Sequence, residues 1–131
     1  MEKRALKLRI LFFTQYFWPE NFRINEIVEN YKDQKNTILT SYPSYPTYKN
    51  FKKFSRNQKQ NLTNAKIFRM PVIPRSSSNV LILLNYLSFI VVSFFYTFFV
   101  FLRRKIDLVF IFCPSPILSA IPLILINKIF K

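Results

Sequence analysis

A chain of 131 residues has room for one domain around one sizeable core and leaves no space for a complete two-domain enzyme. Half of the residues are hydrophobic and 18% are aromatic, which excludes a disordered tail, while 20 Lys and Arg against 6 Asp and Glu give a formal charge of +14 that favours polyanionic partners. With no His and a single cysteine, Cys113, an internal disulfide, the usual zinc clusters and His-activated nucleophiles are excluded.

Residues 8–14 form a short apolar run behind a basic leader, and their length and flanks predict a buried β-strand. The run is too short for a signal-peptide core and no small-residue cleavage site follows it, so no signal peptide is expected. An aromatic and proline-containing loop, residues 15–23, comes next. Ile24, Ile27, Val28 and Tyr31 then recur at helical spacing, with Asn21 or Asn25 as candidate caps. A polar break at residues 32–36 precedes a second short strand at 37–40. Strand, helix, strand is the rhythm of a parallel sheet, so an α/β, Rossmann-like fold with flanking helices is predicted.

Residues 41–48, rich in Tyr and Pro, read as loop, and the basic, aperiodic residues 49–64 read as exposed. Residues 66–70 predict a third strand, closed by Pro71 and Pro74. From Ser76 to Leu102 there is no charged residue, and Asn85, Ser88, Ser93 and Thr97 are the clearly polar members of residues 80–102. About 20 apolar residues suffice to cross a bilayer, and Arg103, Arg104 and Lys105 follow as a basic cluster suited to a cytoplasmic boundary. Residues 107–112 predict a fourth strand, in which Cys113 follows as a small buried hydrophobe; Pro114 and Pro116 turn the chain, and residues 117–130 predict a last apolar helix.

In an open α/β sheet, ligands bind beyond the carboxyl ends of the strands, which would gather the loops at 15–23, 42–48 and 114–116 on one edge. The first loop lacks the glycines of a dinucleotide fingerprint. Arg23 and Asn25 are candidates for the anion or hydroxyl contacts that a glycine-rich nest would make, a solvated arginine being the plain alternative. Tyr42, Tyr45 and Tyr48 are suited to stacking on a sugar face or to packing a rigid loop. Glu20 is the only carboxylate of this expected cleft.

The run from Ile10 through Trp18, Pro19, Glu20, Asn21, Phe22, Arg23, Ile24 and Asn25 to Glu26 resembles the first strand and loop of glycosyltransferase family 4. The likeness is to the branch that assembles bacterial surface polysaccharides and lipid-linked oligosaccharides. Residues 38–46 resemble its second strand with a Pro-Tyr-Pro loop, and residues 68–75 its R-(V/M)-P-x-x-P strand exit. Residues 84–89, and residues 107–110 with Pro114, Ser115 and Pro116, match the following blocks in the same order. Residues 32–36 replace the family's usual turn.

The resemblance implies the acceptor-side, N-terminal domain of a GT-B enzyme, incomplete and inactive without a donor-binding domain, which a separate gene would supply if the gene is split. It also implies transfer of a sugar from a nucleotide-sugar to a lipid-linked or glycan acceptor, with retention and with neither metal nor cofactor. Gln15, Tyr16, Glu20, Asn21, Arg23, Asn25, Tyr42, Tyr45 and Ser115 would line the acceptor side, and no catalytic base is assigned. The family's helix at this position lies on the membrane, implying a peripheral protein on the cytoplasmic side that docks on an anionic leaflet. A different reading is a small basic, non-enzymatic membrane protein with residues 80–102 and 117–130 as a helical hairpin. Nucleic acid is not an expected partner, because most Phe residues sit within apolar runs and do not alternate with basic ones.

Overall fold

The computed structural model describes residues 7–51, 65–114 and 117–130. Its order is β1 (Arg9–Thr14), α1 (Ile24–Asn30), β2 (Lys35–Ser41), β3 (Ala65–Met70), α2 (Asn79–Arg103), β4 (Leu108–Phe112) and α3 (Ile121–Phe130). Short 3-10 turns at Tyr48–Phe51 and Ile117–Ala120 precede β3 and α3. The strands form one all-parallel sheet in the order β3-β2-β1-β4. The predicted α/β class with a Rossmann-like parallel sheet and flanking helices is the architecture found.

Side chains alternate between the two faces of a strand, and here both faces are covered, which explains the continuous apolar runs. Leu11, Phe13, Leu39 and Met70 point to one side, where Phe89 and Val100 of α2 and Leu123 of α3 close the core. Ile10, Phe12 and Ile38 point to the other, against Phe17 and against Ile24 and Val28 of α1. At the amino edge, the Arg9 guanidinium forms an ion pair with Asp107, whose Oδ2 also accepts from the Arg9 backbone N–H at 2.9 Å. That pairing holds the Asp107 carboxyl down at about 2.

Three local expectations are corrected. Helix α1 is capped at Arg23 with no side-chain cap, because the Asn25 side chain serves the preceding loop and Asn21 is exposed. Strand β2 begins at Lys35, two residues before the apolar run, since the Lys35 N–H donates to the Leu8 carbonyl at 2.9 Å and joins the ladder beside β1. The last helix starts as a 3-10 turn and becomes α-helical only at Ile121. Pro122 explains this: it has no N–H for the Leu118 carbonyl, so it fits a helical first turn but not an interior.

Helix α2 is built the opposite way to a water-soluble helix. Its buried stripe is Asn85, Phe89, Ser93, Thr97 and Val100. Leu87, Val91, Phe95, Phe99 and Leu102 are exposed, with Phe95 66% accessible. Its length and hydropathy suffice to cross a membrane. Helix α3 packs beside it and adds the exposed Ile124, Leu125 and Ile129.

Candidate functional site

The carboxyl ends of the strands carry the loops expected to bind a ligand. The chain runs outward from β1 through β2 to β3, then returns to β4 on the other side of β1. Such a reversal opens a crevice above neighbouring strands in sheets of this kind. Two devices tie its loops down.

The first device is Glu20, which is buried. Its Oε1 accepts the backbone N–H groups of Ser44 at 2.9 Å and Tyr45 at 2.7 Å, and its Oε2 accepts that of Phe17 at 3.2 Å. One carboxylate thus staples the β1–α1 loop to the loop after β2. Burial raises its pKa to about 6, against the pull of the three N–H donors and the nearby Arg69 charge. Asn25 completes the staple: its Oδ1 accepts from the Trp18 N–H at 3.0 Å and its Nδ2 donates to the Glu20 carbonyl at 2.8 Å. Arg69, at the end of β3, reaches the same loops by donating to the carbonyls of Ser41 and Trp18. Burial lowers the Arg69 pKa and the Glu20 charge supports it. Both loops contain a cis X-Pro bond, Trp18-Pro19 and Tyr45-Pro46.

The second device is Gln15. Its carbonyl accepts both the Ser41 hydroxyl at 2.6 Å and the Thr40 hydroxyl at 3.2 Å. Its Nε2 donates to Asn85 Oδ1 at 2.8 Å, and Asn85 Nδ2 in turn donates to the Ile73 carbonyl at 2.5 Å. The first turns of α2 are thereby fixed to the end of β1 by a buried polar bridge.

Between these devices stands an aromatic cluster around one guanidinium. Tyr16 stacks on Phe22 with ring centroids 5.0 Å apart, and Tyr45 meets them at 5.2 and 5.1 Å. Arg75 Nη1 donates to the phenol oxygens of Tyr86 at 2.6 Å and Tyr16 at 3.2 Å. Its guanidinium carbon lies 5.2 Å from the Tyr45 centroid and 5.4 Å from that of Tyr86. Burial opposes the Arg75 charge, but its contacts with Tyr86 and Tyr16 raise its pKa. Burial likewise pushes the Tyr16 phenol up, so it stays protonated. Tyr45 remains 40% exposed. An exposed ring beside a fixed cation offers an apolar plate for a sugar and a bidentate donor for a phosphate or carboxylate.

Of the residues expected from sequence, Gln15, Tyr16, Glu20, Asn25 and Tyr45 come together in this assembly. Tyr42 sits half-buried at the start of the second loop, its N–H donating to the Met70 carbonyl at 3.4 Å. Asn21 and Arg23 are exposed at the α1 end, and Ser115 lies outside the described residues. Phe22, Arg75, Asn85 and Tyr86 were not among the expected site residues. The signal for Asn85 was available, because Asn85, Phe89, Ser93 and Thr97 recur every four residues and mark one helix face. Cys113 is half-buried with its Sγ accepting from the Ser119 hydroxyl at 3.2 Å. Burial raises its pKa, which keeps it a thiol and a poor nucleophile. No group of three or more acidic or cysteine side chains placed to hold a metal occurs among the described residues. No family model, no curated protein and no solved structure matches this chain.

Proposed function

We propose that the chain is the acceptor-side domain of a GT-B glycosyltransferase of the family 4 type, working on the cytoplasmic face of a membrane. A donor-binding half, encoded with it or separately, would bring the nucleotide-sugar and complete the cleft. The observation that carries the reading is the Arg75 cluster. It presents the exposed Tyr45 ring and a cation gripped by two phenols at the carboxyl edge of a parallel sheet. A lipid-linked sugar phosphate needs those two contacts, stacking for the ring and a fork of donors for the phosphate. The apolar outer face of α2 supports it further, since that helix starts at this same edge and would hold the cluster near the lipid that carries the acceptor. Glu20, with both oxygens committed to backbone N–H groups, positions the loops in this proposal and transfers no proton.

The test is binding of the chain to vesicles with and without a polyprenyl-phosphate-linked sugar, for the wild type, Arg75→Lys and Tyr45→Ala. Loss of a charge-assisted fork costs about 1.5–3 kcal/mol, so Arg75→Lys should weaken acceptor-dependent binding by about tenfold or more. Equal binding to loaded and empty vesicles in all three proteins would sink the reading. The 25-residue length of α2 favours a rival, a small membrane protein in which α2 spans the bilayer. Retention in the membrane after alkaline carbonate extraction supports that rival, and release supports the peripheral enzyme. The 10 residues of α3 are short for a second span, which needs about 20.

A further inference from the structure

The opposite, amino edge of the sheet carries a depression of about 380 Å³ whose walls are basic. Lys35 and Lys66 reach it from β2 and β3, and Arg104 and Lys105 from the end of α2. Arg9 also lines it but is neutralised by Asp107, while the other four have no carboxylate partner among the described residues. Arg104 is held in place, its guanidinium 5.4 Å from the Phe68 centroid and its Nη1 3.4 Å from Thr37 Oγ1. Asn36 also lines the depression and is only 3% exposed. Its Nδ2 donates to the Tyr31 carbonyl at 2.8 Å, and its buried Oδ1 has no hydrogen-bond partner among the described residues. Four basic side chains converging on one depression suit a phosphate.

A neighbouring depression of about 500 Å³ shares Arg104 and Lys105 and is lined further by Phe101, Leu108 and Phe130. It joins the basic pocket to the end of the apolar face that α2 and α3 expose. We infer that the pocket formed by Lys35, Lys66, Arg104 and Lys105 binds the phosphate of an anionic phospholipid headgroup. The inference rests on the reading that the α2–α3 face lies on a membrane. It adds a lipid site at the sheet edge remote from the Arg75 cluster, where a headgroup anchors and orients the domain and is not consumed.

The experiment is co-sedimentation of the full chain with phosphatidylcholine vesicles, with and without phosphatidylglycerol. Two basic residues removed near an anionic surface weaken binding by about thirtyfold. Lys35→Gln with Lys66→Gln should show that loss on phosphatidylglycerol vesicles and none on phosphatidylcholine alone. Lys32→Gln with Lys49→Gln, an equal loss of charge at exposed residues that do not line the pocket, should leave both unchanged. Retained affinity in the pocket variant, or a loss no larger than that of the control, overturns the site. Val91→Asn with Phe95→Asn reports separately on the membrane face. If that variant binds vesicles like the wild type, the membrane reading fails and the lipid source falls with it. Glycerol 3-phosphate then decides what remains. A saturable rise in Tm that Lys35→Gln with Lys66→Gln abolishes keeps the phosphate pocket for a soluble ligand, and no rise overturns the pocket as well.

Discussion

Helices α1 and α2 cover opposite faces of one sheet and follow opposite rules. Helix α1 buries Ile24 and Val28 and exposes Glu26, Glu29 and Asn30, as a helix between a core and water must. Helix α2 buries Asn85, Ser93 and Thr97 around Phe89 and exposes Val91, Phe95, Phe99 and Leu102. The hydrophobic effect sorts residues by the medium on each side, and in the proposed reading the two faces of the sheet look onto different media. Water suits the outside of α1. An apolar environment suits the outside of α2, where the exposed side chains are as large as those in the core.

The sharpest test of that contrast is a pair of phenylalanines six residues apart. Phe89 is fully buried, with its ring 5.6 Å from that of Phe13. Phe89→Ala should cost about 3–5 kcal/mol in urea unfolding, the usual cost of emptying such a site. Phe95→Ala, at a position 66% exposed, should leave that stability within about 0.5 kcal/mol and instead lower vesicle partition. Comparable losses of stability at both sites would mean that α2 is covered by protein and not by lipid.

Asn85→Leu comes next in size. The substitution adds apolar surface to a helix already rich in it, yet it strips partners from Gln15 Nε2 and the Ile73 carbonyl. The orphaned Gln15 amide is buried and costs about 1–3 kcal/mol, and the carbonyl of the exposed Ile73 costs less, so a loss of about 1–4 kcal/mol is expected from the Tm or urea midpoint. A neutral result would show that the bridge between β1 and α2 does not hold the carboxyl edge.

Much of this architecture was legible in the sequence because β1 and β4 are short apolar runs and β2 and β3 each hold an apolar centre. The run at residues 8–14 became Arg9–Thr14, and the uncharged stretch at 80–102 became Asn79–Arg103. Where polar residues join a ladder through the backbone alone, as at Lys35 and Asn36, side-chain pattern carries no signal and the strand was placed late. The site was legible only in its loops. Arg75 meets Tyr16 across 59 positions, a contact that depends on where α2 begins against the sheet. The job of Glu20 was hidden for a related reason, since its three donors are backbone N–H groups that any residues could supply.

The loops and the amino edge should also separate by pH. The Glu20 carboxyl titrates near 4.5 unfolded and at about 6 folded, so the folded state holds its proton more tightly. Stability should fall as pH rises through that interval, by about 2 kcal/mol, and be lowest in this respect above it. Asp107 has the opposite sign: its folded value of about 2 lies below its ordinary 3.8, so its contribution is complete above that value and is lost as pH falls toward 2. Urea midpoints against pH should peak near the point where the two limbs meet. Glu20→Gln should flatten the upper limb alone, and Asp107→Asn the lower limb alone.

The smallest effect expected is the one most specific to an inverted helix. Thr97 is fully buried on the inner stripe of α2, and its Oγ1 has no hydrogen-bond partner among the described residues. A hydroxyl in that position has lost its water and gained nothing in return. Thr97→Val keeps the shape and replaces the hydroxyl with a methyl, so it should be neutral or stabilising by up to about 1 kcal/mol in urea unfolding. On α1 the sign of a polar-to-apolar change reverses in meaning: Glu29→Val adds apolar surface to a face turned to water, with no buried hydroxyl to relieve. If Thr97→Val instead destabilises by 1 kcal/mol or so, the hydroxyl is bonded in solution, for which the Ser93 carbonyl one turn earlier is the natural acceptor. The polar stripe of α2 would then be a satisfied network, and its inward position would reflect hydrogen bonding as well as exclusion from an apolar exterior.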